Sequence, residues 1–202
     1  MIDLLRTKSS LIKNGFFSYI FDNKEDAVDY FLHFAKENIS FGFAGSKTLE
    51  TLGIYDILID KGYKCFWHWK DGFKEGLDNC KDADYYLTSA NAITSDGSLY
   101  FVDRIGNRIS SVCFGHKKVF IFIGRNKIVA DKAEAVRRAE NIAIPLNSRR
   151  INNDIFKGLR SDNCVHYDDA ANMELFLNAS AKGRDIYVFL INEDLGYWYI
   201  GD

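Results

Sequence analysis

Two runs constrain the fold of this chain more than any other feature. Lys118–Ile123 reads Lys-Val-Phe-Ile-Phe-Ile, and Asp185–Ile191 reads Asp-Ile-Tyr-Val-Phe-Leu-Ile. A strand with one face in water alternates apolar and polar residues. A short run that is apolar at nearly every position needs cover on both faces, as in the parallel sheets of α/β proteins. Further strand candidates at Gly15–Phe21, Ile39–Phe43, Tyr63–Trp69, Ala83–Thr88 and Leu99–Asp103 are separated by helical patterns. The expectation is an α/β fold of three layers, a mostly parallel central sheet with helices on both faces.

The helical patterns are specific. Asp22-x-x-Glu25 resembles a capping box, and Ala27, Val28, Phe31, Leu32 and Ala35 share one face of a helix over 24–37. Thr48–Ile59 reads as a helix that Gly53 weakens, with Gly62 as its stop. Shorter helices are expected over 71–81 and from Gly106 to Cys113. Asp131–Ala143 has the clearest stripe, Ala135, Val136, Ala139, Ile142 and Ala143, and Pro145 is expected to end it. Residues 151–170 read as polar and irregular, and Asn172–Ala181 as helical. With 202 residues, one proline and no low-complexity segment, a single domain over 1–202 is expected.

Composition excludes several classes. No apolar run is long enough to span a bilayer. Cys65, Cys80, Cys113 and Cys164 form no Cys-x-x-Cys pair, so buried free thiols in a reducing cytoplasm are expected. The net charge of −2 is uneven: −4 over 1–100, +7 over 101–150 and −5 over 151–202. A basic middle can attract an anion or be a solvated helix face. Nucleic acid fits poorly, because the aromatics are not interleaved with the basic residues. The four histidines are scattered. Cys164-x-His166-x-Asp168-Asp169 lacks further ligands at metal spacing, so no metal is assigned. No cofactor is assigned either. Trp67 and Trp69 fall on one strand face, in the manner of core or subunit packing.

Loops at the carboxyl ends of parallel strands are where ligands bind in such folds. Phe41-Gly42-Phe43-Ala44-Gly45-Ser46-Lys47-Thr48 sits at a strand-to-helix turn. There Gly42 and Gly45 permit close backbone approach, Ser46 and Thr48 offer hydroxyls, and Lys47 a charge. The alternative is an ordinary turn with Ser46 as helix cap. Asn91 to Arg108 carries a second set: Asn91, Thr94, Asp96, Asp103, Asn107 and Arg108. Arg108 suits a carboxylate or phosphate. Asp103 suits orienting Arg108, binding a hydroxyl or acting as a base, and Asp96 is either a second base candidate or a turn residue. Gly124 and Lys127 follow the strongest strand in a third loop. Asn147-Ser148-Arg149-Arg150 is a fourth, weaker patch. Small hydrogen-bonding residues with two arginines and acids point to a small polar ligand.

These segments carry a resemblance. Phe41–Leu49 with its Gly-Ser-Lys-Thr-Leu turn, Leu87–Gly97, Asp103–Arg108, Val119–Lys127, Pro145–Arg150 and Glu193–Gly196 resemble, in order, the lactate-utilisation (LUD) domain family. The match is to the lactate utilisation protein C-like group, in a short form without the cysteine-rich insert. The resemblance implies a fold similar to the sugar-phosphate isomerase and CoA-transferase superfamily. It also implies an anionic group against Gly42, Gly45, Ser46 and Thr48, with Asn91, Thr94, Asp96, Asp103, Asn107 and Arg108 around it. The insert's place holds only Cys164, and a transferase glutamate has no match, since Glu50 falls in a helix and Glu193 after the last strand. The expected function is a cytoplasmic protein that binds a small phosphate, carboxylate or acyl-CoA metabolite in lactate or organic-acid use. Iron–sulfur oxidoreductase subunits and a second copy of the chain are expected partners. The alternatives are a sugar-phosphate isomerase-like or acyl-CoA-acting enzyme with an Asp base, and a non-catalytic oxidoreductase subunit that docks through Tyr197-Trp198-Tyr199-Ile200.

Overall fold

A computed structural model describes residues 3–156 and 171–198. Six strands pair in parallel in the order β1 (Phe17–Phe21), β10 (Asp185–Ile191), β7 (Lys118–Gly124), β4 (Tyr85–Thr88), β2 (Ser40–Phe43) and β3 (Lys64–Trp67). The pleat explains the continuous apolar runs. Phe120, Phe122, Tyr187, Phe189 and Ile191 face one core, and Val119, Ile121, Ile123, Ile186, Val188 and Leu190 face the other.

Helices α2 (Lys24–Leu32), α3 (Lys47–Leu52) and α4 (Ile54–Asp60) cover the first face through Ala27, Val28, Phe31, Leu49, Leu52 and Leu58. Asn23, rather than Asp22, caps α2 by accepting from the Asp26 N–H. Gly53, at φ 64°, splits the expected single helix into α3 and α4, because it takes a left-handed conformation that other residues resist.

The other face differs from expectation. Helices α1 (Leu4–Lys13), α5 (Phe73–Cys80) and α6 (Asn107–Cys113) share it with a second sheet, β8 (Ile128–Val129), β5 (Ala92–Thr94), β6 (Leu99–Asp103) and β9 (Met173–Leu177). This sheet is mixed: β5–β6 and β6–β9 are antiparallel, and β5–β8 parallel. Leu99, Phe101, Leu175 and Leu177 look toward the central sheet. Tyr100 and Phe176 stack at 4.4 Å on the far side, under Ala135 and Ala139.

Four expectations need correction. Asn172–Ala181 is not helical, because β6 is buried at every position and takes β9 as its antiparallel partner, which overrides the helix propensity of Met, Glu and Leu. Pro145 does not end its helix. α7 (Lys132–Arg138) widens into a π-turn at Ala139–Ala143, where the Ile144 N–H reaches the Ala139 carbonyl, and the chain continues as α8 (Ile144–Phe156). The wide turn accommodates the missing Pro145 donor. Residues 151–156 therefore extend a helix instead of opening an irregular segment. Cys65 and Cys80 are buried, but Cys113 is exposed. The Cys164–His166–Asp168 segment lies outside the described residues.

The connections from β2 to β3 and from β4 to β7 leave in opposite directions across the sheet. The β2–β4 boundary is a topological switch point, and its carboxyl end is where a crevice is expected.

Candidate functional site

The chain leaves β2 into Gly45-Ser46-Lys47-Thr48, and Ser46 caps α3 by accepting from the Leu49 N–H at 3.3 Å. The neighbouring strand β4 runs into Ser89-Ala90-Asn91. These two turns form the floor of a cleft of about 70 Å³ that also touches Val102, Arg108, Lys127, Arg138, Asn147 and Tyr197. A second recess of about 90 Å³ adjoins it, sharing Gly45, Val102, Arg108 and Asn147, and is walled by His68, Trp69, Phe73, Asp103, Ile105 and Arg150. Gly45 is required at the junction: a Cβ there would stand 2.7 Å from the Trp69 indole nitrogen and 2.9 Å from His68 Nε2. The Arg150 guanidinium lies 4.1 Å over the Trp69 ring, and Trp69 stacks on Trp67.

Three cations converge on Ser89–Asn91. Arg108 donates from Nη1 to the Ser89 carbonyl (3.3 Å) and from Nη2 to Asn91 Oδ1 (2.9 Å) and the Val102 carbonyl (2.5 Å). Lys127 Nζ lies 2.7 Å from Thr48 Oγ1, 2.8 Å from Ser89 Oγ and 3.2 Å from the Ala90 carbonyl. Arg138 donates to the carbonyls of Asn126 (3.0 Å), Asn91 (2.5 Å) and Tyr197 (2.7 Å). Lys127 and Arg138 are 6% and 7% exposed.

The acid side of the ledger is Asp103, also buried. Its Oδ1 accepts from Arg108 Nε at 3.0 Å, and its Oδ2 accepts from the Ile109 N–H at 2.8 Å in the first turn of α6. Both oxygens are engaged, so Asp103 positions Arg108. Among the described residues no carboxylate pairs with Lys127 or Arg138. Burial, helped by Arg138 and Arg108, holds the Lys127 amine well below the usual lysine value. Burial also pulls the Arg138 guanidinium down to about 10. The Tyr197 phenol is pushed up by burial, against the pull of Arg150, whose Nε donates to it at 3.2 Å.

The structure thus brings together Gly45, Ser46, Lys47, Thr48, Asn91, Arg108 and Lys127 in the first cleft, and Asp103 and Asn107 in the adjoining recess. Lys47 stands at the rim, paired with Glu50. Four candidates lie elsewhere. A Cβ on Gly42 would meet Cys80 at 2.7 Å, and one on Gly124 would meet the Leu195 and Glu193 backbone at 2.7 and 2.8 Å. Both glycines are demanded by packing. Thr94 and Asp96 bond to each other in the β5–β6 turn, where the Asp96 carbonyl accepts from Asn14. Asp96 borders a separate open recess with Lys13 and Lys132. That turn is what its Ser-Asp-Gly-Ser sequence encodes.

Sequence reasoning missed Arg138 and the cleft-facing side of Tyr197. An arginine three residues after Ala135 and next to Ala139, inside the apolar stripe, was the available signal for the first. Tyr197 was read only as part of a docking patch, and nothing local marked it as a wall of the cleft. Among the described residues no group of three or more His, Cys, Asp or Glu side chains is placed to hold a metal. No helix among them is long and apolar enough to cross a membrane.

Comparison with known proteins agrees with this architecture. The LUD domain family model matches residues 4–156. A solved structure of a DUF162 family protein from Deinococcus radiodurans superposes with a TM-score of 0.55 over 94% of this chain and 96% of its own, at 13% identity. That likeness is one of fold. No curated protein matches the chain.

Proposed function

The chain belongs to the LUD domain family, whose name ties it to lactate utilisation, and on that premise we propose that it binds a small anionic metabolite in the cleft at the carboxyl ends of β2 and β4. One observation carries the reading. Arg108, Lys127 and Arg138 are drawn to a single three-residue segment, and among the described residues Asp103 is the one carboxylate set against them. Buried cations without carboxylate partners are costly to hold. A bound anion supplies the missing charge. A guanidinium has five N–H groups, and carbonyls take three of those of Arg138, leaving donors for a carboxylate or phosphate.

Calorimetric titration with inorganic phosphate, short 2-hydroxy and 2-oxo carboxylates, and acyl-CoA esters tests this. At least one class should bind, and Arg138→Gln should weaken it by roughly 30-fold, the loss of about 2 kcal/mol expected for one charge-assisted hydrogen-bonded contact. Lys132→Ala, in the distant recess beside Asp96, should leave the affinity unchanged. If none of the three classes binds, the reading fails. It also fails if Arg138→Gln and Lys132→Ala behave alike.

A further inference from the structure

The recess beside the anion cleft has a different lining. Trp69, His68 and Phe73 meet there edge to face: the His68 ring stands 6.3 Å from Trp69 at 76° and 5.9 Å from Phe73 at 85°. Ile105 adds apolar surface, and Arg108 and Arg150 add guanidinium groups. Phe73 and Ile105 are 41% and 44% exposed, although most large apolar side chains of the protein are buried. They come from α5 and from the turn between β6 and α6, far apart along the chain, and converge on one small hollow. A single exposed apolar residue needs no explanation. An aromatic-walled recess with a few charged groups, next to a candidate anion site, is the common form of a small-molecule pocket.

The two hollows adjoin without a side chain between them at Gly45, which lines both along with Val102, Arg108 and Asn147. Size argues for a ligand that uses both. One water molecule needs about 10–15 Å³ of such space, so a short carboxylate or a phosphate fills the first cleft of about 70 Å³ and does not reach into the second of about 90 Å³. Chemistry selects an aromatic ring over an aliphatic chain. An aliphatic group would take water from the Arg108 and Arg150 guanidiniums and give nothing back. The face of an aromatic ring attracts a guanidinium, and its edge packs on the faces of other rings. The Arg150 guanidinium already makes such a contact, 4.1 Å over Trp69. We propose that the two hollows hold one ligand, its anionic group in the cleft at Ser89–Asn91 and its aromatic ring in the adjoining recess against Trp69, His68 and Phe73. This inference rests on the anion-binding reading above and adds the other half of the ligand: an aromatic ring joined by a short linker to a carboxylate or phosphate.

Calorimetry of matched pairs tests it, with lactate against 3-phenyllactate and inorganic phosphate against phenyl phosphate. In at least one pair the aryl member should bind about tenfold or more tightly than its parent, the lower end of what burying a phenyl ring contributes. The cyclohexyl analogue of that member is more apolar but has no π face, and should bind about threefold more weakly than the phenyl compound. Phe73→Ala and Ile105→Ser, both at exposed positions, should each remove most of the aryl preference. Ile59→Ser, equally exposed on α4 and lining neither hollow, should keep it. Two variants from separate elements keep the test sound if one of them folds poorly. Parent anions that bind as tightly as their aryl members overturn the proposal and leave the anion site standing. A cyclohexyl analogue that binds as tightly as the phenyl compound overturns it as well, and so does a preference that survives both Phe73→Ala and Ile105→Ser. Absence of binding by every anion, here and in the titrations above, overturns the two readings together.

Discussion

At the amino ends of the central strands, Lys117 meets Asp84 at 2.6 Å and Lys118 meets Asp185 at 2.6 Å. Asp84 also takes the N–H and hydroxyl of Ser40, and these contacts hold its carboxyl down to about 2. At the carboxyl ends, Lys127 and Arg138 are buried against carbonyls and hydroxyls, with no carboxylate partner among the described residues. The first edge places its charges where water and a partner both reach them, which makes them cheap and dispensable. The second places cations where neither does. A parallel sheet gathers all its strand ends of one kind on one edge, so a chain can put structural charge at one edge and binding charge at the other. The difference supports, without reference to any relative, placing the proposed anion site at the carboxyl edge.

The contrast can be broken first at Arg108. Arg108→Ala leaves Asp103 buried with the Ile109 N–H as the one remaining partner of its carboxylate among the described residues. It should cost about 3 kcal/mol in urea unfolding, the scale for stranding one member of a buried pair. A loss as small as that of a surface substitution would erase the distinction between the edges.

Lys127 gives the next largest effect. Its folded-state value lies below the usual lysine value. Between those two values the unfolded chain holds a proton that the folded chain has released, so folding is favoured as pH rises. The stability of the wild type minus that of Lys127→Met should therefore climb as the pH rises toward the ordinary lysine value, by up to about 1.4 kcal/mol per pH unit, and level off above it. Ionisation of cysteines and tyrosines is common to both proteins and cancels in the difference. A flat difference would show that burial beside Arg138 and Arg108 does not lower the Lys127 amine.

Lys117→Ala should do least. The ammonium is fully exposed, and its pair with Asp84 is screened by salt. Chemical denaturation should not separate this variant from wild type at moderate ionic strength. A clear loss would show that the amino edge is also under strain.

Much of this was legible in the sequence. Lys118–Ile123 and Asp185–Ile191 announced strands buried on both faces, and they pair at the centre of the sheet. The glycine-containing turn after Phe43, together with Asn91, Arg108 and Lys127, pointed to the cleft, because strand-to-helix turns of a parallel sheet open on one edge. Thr94 and Asp96 misled because a tight hairpin uses the same small polar residues as a binding loop. Asn172–Ala181 misled because its pairing partner lies some seventy residues away in β6, beyond any local pattern.

Local chemistry alone determined the alternation of strands and helices, the Ser46 cap, the break at Gly53 and the basic middle of the chain. These depend on periodicity, on backbone preference and on side chains a few residues apart. Only the tertiary structure decided that Arg138, from a helix stripe, and Tyr197, from the tail, complete the cleft, and that Lys127 is held there with no carboxylate among the described residues. Burial and charge pairing are properties of what surrounds a residue, and these surroundings come from segments far apart along the chain.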